Sequence, residues 1–209
     1  MMEVLCETVG PFAENSYFLV DLSTREAIAI DPGDEPDRLM EVVRSRDLKV
    51  RYILNTHAHI DHVGAVDALQ RATGAPFHLH RDELDLLRAV PAQAAMFGLD
   101  APPVPEVTAY LEEGQTFQVG GLPLISVVET PGHSPGHVSF VVGKIVISGD
   151  ALFQRSIGRT DLPGGDHELL LRSIRTKLLT LPDETKVYPG HGDPTTIGEE
   201  RRWNPFLME

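Results

Sequence analysis

Cysteine is nearly absent from this 209-residue chain: Cys6 stands alone, so no internal disulfide can form. A lone thiol favours a reducing, cytoplasmic compartment. Cys6 lies in an early strand pattern and reads as a small buried residue rather than a nucleophile. Positive charge is also scarce, with 18 Lys and Arg against 31 Asp and Glu and a formal net charge of −13. That balance argues against a nucleic-acid partner, because phosphate repulsion must be offset by basic surface. The acidic residues are scattered rather than blocked, as on an ordinary solvated surface. No apolar run approaches the roughly 20 residues that a membrane span needs. The N-terminus lacks a basic segment followed by a long apolar one. Neither a membrane partner nor a signal peptide is therefore expected. With 42% hydrophobic residues the chain can still bury a substantial core.

What is present is concentrated in Thr56-His57-Ala58-His59-Ile60-Asp61-His62. This string follows the apolar run Arg51–Asn55, which reads as a buried strand. Strand carboxyl ends are where α/β proteins place their chemistry. His57 and His59 alternate by two and face one way in an extended loop. Asp61 and His62 open an expected helix, Asp61–Thr73, and turn elsewhere. Asp61 alone would be an ordinary helix cap. The whole string is different, since several costly polar groups gather where a core could have used apolar ones.

Three further strand ends repeat the plan. Val127–Thr130 leads into Pro131-Gly132-His133, a tight loop fixed by Pro and Gly. Lys144–Ser148 delivers Asp150 after Gly149, a residue that permits close backbone approach. Lys186–Tyr188 leads through Pro189-Gly190 to His191. Together these positions supply enough His and Asp for two metal ions bridged by one carboxylate.

The ordered set His57, His59, Asp61, His62, His133, Asp150 and His191 resembles the five motifs of the metallo-β-lactamase superfamily. Within it the chain is most similar to the glyoxalase II (hydroxyacylglutathione hydrolase) group, in its short single-domain bacterial branch. Pro91–Leu99, Gly158-Arg159-Thr160-Asp161 and Asn204–Leu207 carry that closer likeness. The resemblance implies a first metal on His57, His59 and His133, a second on Asp61, His62 and His191, and Asp150 bridging them. It also implies a four-layer αββα sandwich formed as one domain over residues 1–209. The order of elements alone supports only an α/β or α+β class.

Two divalent ions, zinc first with iron or manganese also acceptable to these donors, would polarise a carbonyl and lower the pKa of a shared water. Asp61 could orient that water. A thiolate leaving group, with a parent pKa near ~8.5, departs without a general acid. Thioesters are thus favoured over lactams, and the expected reaction is hydrolysis of S-D-lactoylglutathione, a small-molecule glutathione thioester. The alternatives are a mono-iron glutathione persulfide dioxygenase and a lactonase or lactamase of the same fold. Arg159 matches a basic residue that contacts glutathione in longer relatives, and its guanidinium suits a carboxylate. The plainer reading is an ion pair with Asp161. Oligomeric state is not legible in the sequence.

Elsewhere, Val4–Val9, Asn15–Asp21 and Ala27–Asp31 read as strands, and Glu35–Arg46 as a helix. Pro76–His80 is an expected strand. Arg81–Val90 and Ala92–Phe97 are expected helices separated by Pro91, and Ala101–Pro105 a surface connection. Strands are expected to return from Tyr110 to Ser148. His167–Leu179 has Leu170, Ile174 and Leu178 along one face, with Asp166 as its N-cap. Met96 and Phe97 read as ordinary packing, with a substrate wall as the alternative. His78, His80 and His167 read as structural, and His137 as support for the His133 loop.

Overall fold

The computed structural model describes residues 1–208. Six strands form the first sheet: β1 (Met2–Val9), β2 (Glu14–Asp21), β3 (Glu26–Ile30), β4 (Lys49–Leu54), β5 (Phe77–His80) and β6 (Ala109–Leu111), in that spatial order. The first three are antiparallel, and β3 through β6 run parallel. The second sheet draws on β7 (Thr116–Phe117), β8 (Ile125–Glu129), β9 (Val138–Val142) and β10 (Ile145–Gly149). After a small ribbon of β11 (Leu152–Phe153) and β12 (Ser156–Ile157), β13 (Lys186–Pro189) and β14 (Thr195–Thr196) complete it. Its order is β14-β13-β10-β9-β8-β7, with β10 and β13 parallel.

Helices cover the outer faces. On the first sheet lie α1 (Pro36–Ser45), α2 (Ile60–Val63), α3 (Val66–Thr73), α4 (Leu84–Arg88) and α5 (Val90–Phe97). On the second lie α6 (His167–Ser173) and α7 (Ile197–Trp203). Strand alternation explains the layering. In β2, Phe18 and Val20 join a core shared with α1 and α3, while Tyr17 and Leu19 join the core between the sheets. In β10, Ile145 and Ile147 face the first sheet and Val146 packs with Leu170, Ile174 and Leu178. Side chains on successive strand residues point to opposite faces, so a strand between two layers must be apolar on both. Three apolar interfaces between four layers make the αββα sandwich.

Several local expectations change. The helix expected over Asp61–Thr73 is two helices, because the Ala65 amide bonds to the Pro32 carbonyl at 3.0 Å instead of continuing the turn. Pro91 does not separate α4 from α5. It sits in the first turn of α5, where its missing N–H costs nothing, and the break falls at Ala89. Tyr110 belongs to β6, which joins the first sheet rather than the second block. Cys6 is exposed, not buried, on the edge strand β1. Asp166 caps α6 as expected, accepting from the Leu169 amide at 2.9 Å, but the helix passes into a π turn at Ile174–Leu178. Ala101–Pro105 has no regular structure.

Among the described residues, no helix is long and apolar enough to cross a membrane.

Candidate metal centre

Parallel pairing collects the strand ends at one edge of the sandwich. β3 and β4 end together, with the Asp31 amide donating to the Leu54 carbonyl at 3.1 Å. β10 and β13 end together, with the Gly190 amide on the Gly149 carbonyl at 2.9 Å. The β8–β9 loop closes through a 2.8 Å bond from the Thr130 amide to the His137 carbonyl. A bond of 2.9 Å from the Val138 amide to the Thr56 carbonyl then ties the two sheets at this edge. Gly149 is left-handed at φ 49°. A Cβ there would lie 2.5 Å from Thr56 Oγ1 and 2.8 Å from His137 Nε2, so glycine is required for the approach.

Seven side chains meet where these ends converge. His133 Nε2 lies 3.3 Å from His57 Nε2 and 2.9 Å from His59 Nδ1. On the other flank His191 Nε2 is 3.2 Å from Asp61 Oδ2, and His62 Nε2 is 3.9 Å from the same oxygen. Asp150 stands between the groups, with Oδ1 3.4 Å from His62 Nε2 and Oδ2 3.5 Å from His133 Nε2. Two three-residue donor sets, His57/His59/His133 and Asp61/His62/His191, are each compact enough to hold one ion.

The donor atoms fit cations. Buried polar atoms normally find hydrogen-bond partners. His62 Nε2 and Asp150 Oδ1 are both buried without one, and they face each other. Burial holds His57 well below its usual imidazole pKa and lowers His133, with neighbouring imidazoles adding to the effect at His57. His59 is pushed down to about 4 by burial and then by His133. Neutral rings with their lone pairs crowded together are metal donors. Burial would also lower His62, but the Asp150 and Asp61 carboxylates outweigh it and hold its pKa well up. Asp150 is correspondingly held far below the ordinary carboxylate range, against its burial, by His62 and then His133.

This contrast has a measurable consequence. His62 holds its proton more tightly than a free imidazole in the metal-free protein, and a metal must compete with it. The protonated His62–carboxylate contact stabilises the metal-free fold at low pH and is lost as pH rises through the raised His62 pKa. Metal affinity is therefore expected to fall with pH below neutrality. Calorimetric titration at pH 7 in buffers of different ionisation heat should detect proton release on loading. Buffer-independent heats would contradict it.

Other groups set the tautomers. His133 Nδ1 donates to the Arg159 carbonyl at 2.8 Å, and His191 Nδ1 to the Phe12 carbonyl at 3.1 Å. His62 Nδ1 faces Asp31 Oδ2 at 3.0 Å. The Thr56 hydroxyl donates to the same Asp31 oxygen at 2.6 Å and lies 3.0 Å from His57 Nδ1. Each of these rings is thereby oriented with Nε2 toward the centre. His137 supports the site as expected. Its Nδ1 faces Thr130 Oγ1 at 2.9 Å and its Nε2 accepts the Asp150 amide at 3.1 Å. His78 packs edge-on against Tyr52 and Phe117, and His80 accepts the Asp82 amide, both away from the centre. His167 begins α6.

Asp31 and Glu83 escaped the sequence reading. Asp31 was read only as the last residue of the strand Ala27–Asp31, although an acid at the end of a buried strand is the same signal that marked Asp150. Glu83 carried no such signal. Its buried carboxylate accepts the Ala58 amide at 2.8 Å and the Gly136 amide at 2.7 Å, clamping the His57–His62 loop to the His133 loop. Burial raises its pKa, opposed by these bonds. Glu83→Gln puts an amide NH2 against one of the two N–H donors. It is expected to cost about 1–3 kcal/mol of stability, read as a lowered denaturant midpoint. An unchanged midpoint would show that the clamp contributes nothing.

Above the centre opens a cavity of 610 Å³ that reaches Arg159, Met96 and Phe97. Arg159 forms the ion pair with Asp161, through Nε–Oδ1 and Nη2–Oδ2 contacts of 2.7 Å each. Met96 and Phe97 are not packed inside. They are 75% and 48% exposed and line this cavity.

The comparisons with known proteins agree with the layout. Hydroxyacylglutathione hydrolase GloC of Haemophilus influenzae is 40% identical over 208 residues, covering 95% of each chain. Among solved structures, BLEG-1 B3 metallo-beta-lactamase superposes with a TM-score of 0.91 at 40% identity, covering 100% of both chains. TTHA1623 in its di-iron-bound form gives 0.88 at 45% identity, covering 97% of this chain and 100% of its own. The metallo-beta-lactamase superfamily model matches residues 9–191, the span that runs from the end of β1 to the last histidine of the centre. With the sandwich, the convergent strand ends and these relatives together, the chain belongs to the metallo-beta-lactamase superfamily.

Proposed function

We propose that this protein is a binuclear metal-dependent thioester hydrolase whose substrate is S-D-lactoylglutathione, cleaved to D-lactate and glutathione. The observation that carries this reading is Asp150 standing between two complete donor sets, with Oδ1 toward His62 and Oδ2 within reach of both His133 and His191. His57, His59 and His133 would hold one ion and Asp61, His62 and His191 the other, with Asp150 available to both. When bound, the two ions polarise the thioester carbonyl and lower the pKa of a water between them. These donors accept zinc, iron or manganese; we take zinc first, with the di-iron relative keeping iron open.

The chain's own groups do the rest. Asp61, partly open to the cavity, orients the attacking water and accepts its hydrogen bond. Among the described residues, and apart from the candidate ligands, Arg159 is the one ionisable residue lining the cavity. No separate acid stands ready to protonate an amine, so a thiolate, which leaves unaided, suits the site better than a lactam nitrogen. The GloC relative supports glutathione as the thiol. Arg159 would anchor one glutathione carboxylate after exchanging it for Asp161. The single cysteine supports a cytoplasmic setting.

The test is steady-state hydrolysis of S-D-lactoylglutathione by metal-loaded protein without oxygen, with Asp150→Ala as blank. Turnover that vanishes in the variant is expected. No turnover with two ions bound would overturn the reading, and a strict oxygen requirement would replace it with persulfide oxidation.

A further inference from the structure

The cavity has two sides: the 153–163 segment, which lines it with Phe153, Ile157, Leu162, Pro163 and the cation Arg159, and a helix facing it. Arg159 lies on the side of His133, whose ring bonds its carbonyl. The other side is α5, joined to the His57–His62 loop by Gln93, which accepts the Ile60 amide at 2.9 Å and donates to the Leu86 carbonyl at 2.9 Å. That latch fixes the helix against the centre. Apart from Gln93, whose amide is engaged in that latch, α5 turns apolar residues to the cavity: Ala92, Met96 and Phe97, joined by Leu86 and Phe12. Phe12 meets Phe97 edge-on at 5.0 Å.

Single exposed apolar side chains are ordinary. Here several converge on one cavity whose floor is the catalytic centre, and Met96 keeps 75% of its surface in water. A lactoyl group, short and carrying a hydroxyl, would leave that wall wet. An aliphatic chain would cover it. We propose that α5 forms an acyl subsite for apolar chains, so that thioesters of unsubstituted aliphatic acids are better substrates than the hydroxyacyl thioester. This rests on the thioester reading above, with the thiol portion directed to Arg159. The reaction itself needs only water: its oxygen bonds to the carbonyl carbon and the C–S bond breaks. The sulfur keeps the electron pair and leaves as thiolate, the acid is released as carboxylate, and both protons of the water pass to solvent.

The test is a series of glutathione thioesters from acetyl to hexanoyl, alongside S-D-lactoylglutathione, assayed by thiol release. We expect kcat/KM to climb by up to about fourfold for each methylene that leaves water, and Met96→Ser, at an exposed position, to flatten the climb. A readout independent of turnover is calorimetric binding of S-hexylglutathione against S-methylglutathione, with the hexyl compound tighter and Met96→Ser narrowing the gap. A flat series and equal binding, with lactoylglutathione still hydrolysed, would overturn the acyl subsite alone. No hydrolysis of any thioester by fully loaded protein would overturn the thioester reading with it.

Discussion

Asp150→Ala is expected to lower hydrolysis of S-D-lactoylglutathione by at least about 10²–10³-fold, the loss that follows removal of one preorganised electrostatic contact at a reacting centre. Metal content should fall below two ions per chain. Asp150 is the carboxylate that reaches both donor sets, at 3.4 Å from His62, 3.5 Å from His133 and 3.6 Å from His191. Its charge, with that of Asp61, also raises the His62 pKa against the pull of burial. Removing it leaves buried imidazoles facing one another with no anion between them, and cations placed there would repel without a shared ligand. Asp150→Asn separates charge from volume, because it keeps the shape and loses the anion. Elemental analysis and kcat measured together decide the matter. A variant that keeps two ions and the parental rate would remove Asp150 from its proposed place.

Asp31→Ala is expected to cost about 3–5 kcal/mol, the penalty for breaking a buried charged pair by deleting one partner. It should also weaken metal binding by about 10–100-fold, as loss of a ligand-orienting group does. Asp31 is buried and accepts three bonds: the Thr56 amide at 2.7 Å, the Thr56 hydroxyl at 2.6 Å and His62 Nδ1 at 3.0 Å. Through Thr56 the same carboxylate reaches His57, so it orients one histidine of each donor set. Its backbone adds to the cost, since φ is 48°, a region Asp tolerates better than Ala. Denaturant unfolding of the metal-free protein isolates the first effect and competition with a chelator the second. Asp31→Asn should spare more of the stability than the affinity, because its amide group can present a donor to His62 where the ring needs an acceptor. Stability within about 0.5 kcal/mol of the parent would show that these bonds do not carry the load assigned to them.

The seven candidate ligands were legible because each is a local event. A run of apolar residues ends, a turn follows, and a histidine or aspartate appears where a strand would stop: His57 after Leu54, Asp150 after Gly149, His191 after Pro189. Residue type and spacing within one loop are written in consecutive positions. Asp166 as a helix cap and the Leu170–Ile174–Leu178 stripe were legible for the same reason. Where neighbours in space competed, local reading fell short. Ala65 left its helix for the Pro32 carbonyl, and Cys6 found no layer over its edge strand.

By its sequence alone the chain determined which groups could bind metal, which strand ends would present them, and that the helices at Glu35–Arg46 and His167–Leu179 would each have one apolar face. Only the tertiary structure decided that His57 meets His133 across 76 positions, that Asp31 and Glu83 hold the loops, and that Met96 and Phe97 stand in a cavity rather than a core. The physical reason is range. Turn chemistry and side-chain periodicity act over a few residues, whereas a buried carboxylate or an exposed methionine takes its meaning from whatever the folded chain brings against it.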